Sequence, residues 1–182
     1  MHVKVVVAVF AFGVVSPFQF TFAQERSEVE TILYKAADTL GMLRTSREVD
    51  RVATMIYSGV GTMIIDGQTC TMTDYRASVR YPIPNANHTF PVPGMRVDFS
   101  CATDNERVER YVQVVAGDFA WNETEPGTNA TPVFEAVLER LLQVWILPQG
   151  LVKAAIAAGP KTTASVEAEN PVLTFPLPAP LN

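Results

Sequence analysis

The chain has 182 residues, 48% of them hydrophobic and 18% charged, and a net charge of −5. That length supports one domain with a buried core, and the apolar content excludes a disordered chain. The acidic balance, without clusters of Lys or Arg, argues against nucleic acid and against an anionic membrane surface as partners.

The first 23 residues, MHVKVVVAVFAFGVVSPFQFTFA, read as a secretory signal peptide. Lys4 supplies the positive start, residues 5–15 form the apolar run, and Pro17 breaks it. Thr21 and Ala23 then stand at −3 and −1 of a cleavage site before Gln24. The run is too short for a membrane-spanning helix, so no span is expected after cleavage. The expected localisation is secreted or periplasmic, with residues 24–182 forming a single domain. Cys70 and Cys101 are the only cysteines. In an oxidising compartment a disulfide between them is the simplest reading, with two buried thiols as the alternative.

The mature chain should open with a helix. Ser27 and Glu30 form a capping box, Val29, Ile32, Leu33, Ala36, Ala37 and Leu40 recur on one face, and Gly41 caps the end. A polar connector, RTSREVD, follows. From Ala53 the pattern becomes strand: ATMIYSGVGTMII runs into Asp66-Gly67, a hairpin signal, and returns as QTCTMTDYRASVRY. On the return, Tyr75, Ala77, Val79 and Tyr81 alternate with Asp74, Arg76, Ser78 and Arg80, so one face is buried and the other wet. Gly59 and Gly61 suggest a bulge or bend in the first of these strands.

The proline-rich stretch PIPNANHTFPVPG should be a loop. Two further strands follow, MRVDFSCA and ERVERYVQVVA, joined by a turn at Asp104-Asn105; Gly117-Asp118 then turns into FAWN. The next unit is helical, with Thr131 as cap and Pro132 in the first turn. Val133, Phe134, Val137, Leu138, Leu141, Leu142 and Trp145 form its apolar stripe, and Glu135, Glu139, Arg140 and Gln143 its polar face. Pro148 breaks this helix, LVKAAIAA makes a second that ends at Gly159-Pro160, and one lone strand is expected around Val172 to Phe175. Strands and helices segregated in this order predict an α+β fold, a curved antiparallel sheet packed on two or three helices.

No catalytic constellation emerges. The mature chain has one histidine, His88, in a loop, with no Gly-x-Ser-x-Gly elbow and no Gly-rich phosphate loop. Neither a metal site nor a cofactor is expected, since two cysteines and a distant His88 lack ligand spacing. Glu123 with Glu125, and Glu135 with Glu139, are acidic pairs best read as solvated charge. Three glycosylation acceptor patterns, at Asn87, Asn122 and Asn129, fall in predicted loops. The remaining candidate is an apolar groove lined by Tyr57, Tyr75, Tyr111, Phe119, Trp121 and Trp145, for a lipid, an apolar small molecule or a protein partner.

The motifs MIYSGVGT, VDF, GDFAWN and WILPQGLVKAA, in this order behind a signal peptide, resemble a group of bacterial exported proteins. These carry a region similar to the periplasmic lipoprotein carriers of the LolA/LolB type, which in some of them precedes a metallo-β-lactamase-fold hydrolase domain. The resemblance implies a half-barrel that binds apolar cargo, or an accessory segment of a secreted zinc hydrolase. It also implies a sheet incomplete at the C-terminus, with an open edge for a protein partner. Where such proteins usually have a histidine, between Pro148 and Gly150, this chain has Gln149. No His-x-His-x-Asp-His zinc motif occurs in the chain.

Overall fold

A computed structural model describes residues 27–43, 52–65, 67–81, 93–102 and 108–181. The signal-peptide segment, the connector RTSREVD, the sequon at Asn87 with His88, and the turn at Asp104-Asn105 lie outside these residues. Helix α1 (Glu28–Thr39) begins at the expected capping box: Glu30 N donates to Ser27 Oγ at 3.2 Å and Ser27 N to Glu30 Oε2 at 2.9 Å. Gly41 ends it with φ +67°, a left-handed backbone that favours glycine.

Six antiparallel strands follow in one sheet, paired in chain order. They are β1 (Thr54–Ile65), β2 (Gln68–Arg80), β3 (Gly94–Ala102), β4 (Val108–Ala116), β5 (Phe119–Glu123) and the two-residue β6 (Thr131–Pro132). The alternation on β2 is as expected at Ala77 and Val79, which are buried, and Met95, Val97, Phe99 and Cys101 of β3 are buried beside them. The sheet is not closed into a barrel, since its end strands β1 and β6 do not pair with each other.

The register shifts between Gly59 and Gly61, where an irregularity is expected, but the extra residue belongs to the neighbouring strand. Between Gly59↔Tyr75 and Gly61↔Met72, β2 spends three residues against two on β1. Against β3 it spends four, from Met72 to Arg76, where its partner spends three, from Cys101 to Asp98. The extra residue therefore sits at Thr73-Asp74 of β2. Asp74 repairs the gap by accepting from Ser100 N at 2.6 Å and Ser100 Oγ at 2.8 Å. These hydrogen bonds to the charged form, the backbone one foremost, hold its carboxyl below the usual aspartate range.

Helix α2 (Val137–Trp145) starts five residues later than the sequence suggests. Thr131 and Pro132 pair with Asn122 and Trp121 as β6, and Val133 N donates to Ala120 O at 2.8 Å, so this backbone extends the sheet. A 3-10 turn, Phe134–Ala136, then leads into α2. Leu141 and Val144 bury in one cluster with residues of β2–β5 and Trp145 is buried beside Tyr81, whereas Phe134 and Leu138 of the expected stripe are exposed. Helix α3 (Pro148–Ala158) leaves at 94° to the preceding helical segment. Its Val152 and Ala155 pack with Leu33, Ala37 and Met42 of α1 and its C-terminal cap in a second core cluster.

The expected lone strand is half of a hairpin. Strands β7 (Thr163–Glu167) and β8 (Asn170–Thr174) form a separate two-stranded sheet. Ala168 and Glu169, at φ +47° and +66°, make its turn without the glycine that usually marks one. Leu173 and Phe175 rest on the α1–α3 cluster, and Leu181 reaches the main core. Cys70 and Cys101 form a disulfide. The loop it closes, with a sequence separation of 31, corresponds to roughly 3–4 kcal/mol in the chain-entropy treatment. Among the described residues no single helix is long and apolar enough to cross a membrane.

Candidate functional site

The register of the sheet sorts the six expected groove residues onto different surfaces. On the helix side, Tyr57, Tyr75 and Tyr111 join Phe99 in a row across β1–β4. Ring centroids are 5.9 Å apart for Tyr57 and Tyr75, 6.0 Å for Tyr75 and Phe99, and 5.2 Å for the stacked pair Phe99 and Tyr111. The Tyr57 and Tyr75 hydroxyls stand 3.5 Å apart, and Tyr111 Oη donates to Glu109 at 2.8 Å. Burial pushes the Tyr75 hydroxyl above the ordinary tyrosine range. All three tyrosines are half-buried, so this row is as much core as surface.

Trp145 is buried elsewhere, under α2, with its ring 6.4 Å from Tyr81. Tyr81 Oη donates to Val144 O at 3.0 Å, and the Lys153 ammonium lies 5.1 Å over the same ring. Burial raises the Tyr81 hydroxyl as well. Phe119 and Trp121 stand on the opposite, outer face, because Ala120 between them points to the core.

That outer face carries the concavity. An open cleft of about 910 Å³ runs over β1–β4, and on the outer side Thr54, Ile56, Ser78, Arg80, Arg96 and Val114 line it. A second depression of about 490 Å³ continues from Ile56 past Ser58 and Val60 to Asp74 and Arg76. Among the described residues neither Arg76 nor Arg80 has an ion-pair partner, and both are exposed. They stand four residues apart on β2, a spacing of about 13 Å along a strand. Sequence alternation assigned both to the wet face, yet gave no sign that this face is concave.

One wall of the cleft is fixed by a buried acid. Glu123 accepts from Arg96 Nη2 at 2.8 and 3.0 Å, from Trp121 Nε1 at 2.8 Å, and from Gly127 N. Burial works to raise its carboxyl, but the bonds from Gly127, Trp121 and Arg96 outweigh it and hold the group below the usual range. Glu123 is thus a structural acceptor and not half of a solvated pair with Glu125. Asp98 takes a further cation of this face, Arg110, through bonds of 2.9 and 2.6 Å.

Arg140 overturns its expected place on the polar face of α2. It is 6% exposed, and its Nη1 donates to Val114 O at 3.0 Å and Trp121 O at 2.8 Å. Its Nη2 donates to Asn122 Oδ1 at 2.6 Å. Arg140 thereby pins α2 to β4 and β5, and burial lowers its pKa. Asn122 and Asn129 are both exposed, although Asn122 is held by Arg140, and Asn129 Nδ2 donates to Thr124 Oγ1 at 3.2 Å. Among the described residues no three His, Cys, Asp or Glu side chains stand close enough to hold a metal ion.

Searches against protein-family models, curated proteins and solved structures each return no match to this chain.

Proposed function

We propose that this chain is an exported, non-catalytic binding module whose ligand is an amphiphile, an apolar chain with an anionic head. The observation that carries the reading is the outer-face cleft, which sets the apolar side chains of Ile56 and Val114 beside two arginines, Arg80 and Arg76, that have no acidic partner among the described residues. An unpaired guanidinium on a face that also offers apolar surface favours a carboxylate or phosphate attached to an alkyl chain. Export is supported by the signal-like first 23 residues and by the Cys70–Cys101 disulfide. The resemblance to the LolA/LolB type points to the same ligand class, since apolar cargo is what that region handles.

Titration of the purified protein with a fluorescent long-chain fatty acid tests the proposal, with the matching long-chain alcohol as the neutral control. Saturable binding of the acid, weaker binding of the alcohol, and a loss of about tenfold in affinity for Arg80→Glu are expected. Absence of saturable binding, or an Arg80→Glu protein that binds as wild type does, refutes it.

A further inference from the structure

The sheet ends differently on its two sides. On one side β6 is two residues long and includes Pro132. On the other, β1 runs twelve residues, and among the described residues no strand pairs with its outer edge. Natural edges of that length are shortened, charged, bulged or covered, because a free row of N–H and C=O groups templates another strand. The β1 sequence, TMIYSGVGTMII, has no charge and no proline. It exposes Ile56 at 61%, Val60 at 78%, Ile64 at 75% and Met63 at 36%.

We propose that β1 pairs antiparallel with β1 of a second copy of this chain, about a two-fold axis beside Val60. The free backbone groups call for an extended strand, and the chain itself supplies one of matching length. Pairing of β1 with β6 of a neighbour would build an open stack, but two residues with a proline cannot serve a twelve-residue edge. Pairing β1 with itself closes after two copies.

The register follows from the side chains. Residues 54, 56, 58, 60, 62 and 64 point to the outer face, because Tyr57 packs with the core and side chains alternate. With Val60 opposite Val60, Ile56 meets Ile64 of the second copy, and Ser58 meets Thr62. On the helix side Gly59 meets Gly61, and Tyr57 meets Met63. A slip of two residues in either direction sets Val60 against Ser58 or Thr62 and breaks the apolar matches. Of the registers that keep the faces aligned, this one alone pairs all three exposed aliphatic residues with one another. No charged side chain on either strand opposes the approach.

Sedimentation of the purified protein across about 1–200 µM tests the pairing, together with Val60→Lys, Val60→Cys and Val166→Cys. Val166, 64% exposed on β7, is the control outside the proposed interface. Directly opposed residues of antiparallel strands have Cα atoms about 4.5–5.5 Å apart, within disulfide range. The expected result is a concentration-dependent dimer whose dissociation constant rises at least about tenfold in Val60→Lys. Val60→Cys is expected to oxidise to a covalent dimer, and Val166→Cys is not. A protein that stays monomeric throughout overturns the proposal, as does a dimer that Val60→Lys leaves unchanged. Cross-linking of Val60→Cys no faster than that of Val166→Cys also overturns it, and this readout stands even if the lysine variant fails to fold. All three readouts are taken without fatty acid, so their outcome does not depend on ligand binding.

Discussion

Gly150 is the position where one methyl group should cost most. It lies in the first turn of α3, where that helix crosses the end of α2 at 94°. A Cβ there would overlap Val144 O, stand 2.8 Å from Trp145 O and stand 3.0 Å from the Trp145 carbonyl carbon. All three are backbone atoms of the last turn of α2, whose Val144 and Trp145 side chains are buried, so no rotamer change relieves the overlap. Ordinary contacts begin near 3.4 Å, so α3 must withdraw by about half an ångström or more, against the packing of Val152, Ala154 and Ala155. Overpacking of this kind costs about 3 kcal/mol at the upper end of its range, and glycine-to-alanine in a helix returns about 1 kcal/mol. Gly150→Ala should therefore lose about 2 kcal/mol and melt about 4–8 °C lower. Guanidinium denaturation beside Gly59→Ala supplies the control, since nothing lies within 4 Å of a Cβ at Gly59. A Gly150→Ala protein within about 0.5 kcal/mol of wild type refutes the close-approach argument.

Arg140→Met should lose about 2–4 kcal/mol in the same assay, because it leaves the carbonyls of Val114 and Trp121 without their buried donor. Arg140→Lys should recover only part of this, since an ammonium does not span the three acceptors that the guanidinium reaches. Acid should destabilise the fold through Glu123 and Asp74. Both have folded-state pKa values below their ordinary 4.5 and 3.8, so their contribution is present above those values and fades as pH falls through the lowered ones. Denaturation midpoints measured from about pH 6 down to pH 3 should fall, and Glu123→Gln should flatten that slope. An unchanged slope would mean that Glu123 titrates alike folded and unfolded.

Much of the sheet was legible because its faces obey a period of two. The alternation of Tyr75, Ala77, Val79 and Tyr81 with Arg76, Ser78 and Arg80 needs no tertiary information. Thr131-Pro132 is a sound cap signal, and only its pairing with Trp121 and Asn122 turns it into a strand and moves the helix start. Periodicity puts Arg140 on the polar face of the helix because it counts every arginine as polar. Its burial depends on two carbonyls and an amide brought from β4 and β5, a long-range fact that no local window holds. Strand β7 escaped notice because its hairpin turns at Ala168-Glu169, a pair that carries no turn chemistry. Residue type alone groups the six aromatic residues, and the register divides them.

The polar network and the bare edge are two sides of one arrangement. At the β5–β6 end, Glu123 gathers donors from Arg96, Trp121 and Gly127, while Arg140 binds strand carbonyls from beneath. Buried charges held this way are expensive to desolvate, and they fix one geometry for a short, proline-bearing edge. Among the described residues no comparable device stands along β1, where Gly59 and Gly61 thin the strand and Val60 projects into solvent. A sheet whose one edge is two residues long with a proline, and whose other edge is uncharged and twelve residues long, has a direction of growth built in. Growth in that direction stops after a single addition, since the second copy brings the same edge to the junction and turns its own closed end outward.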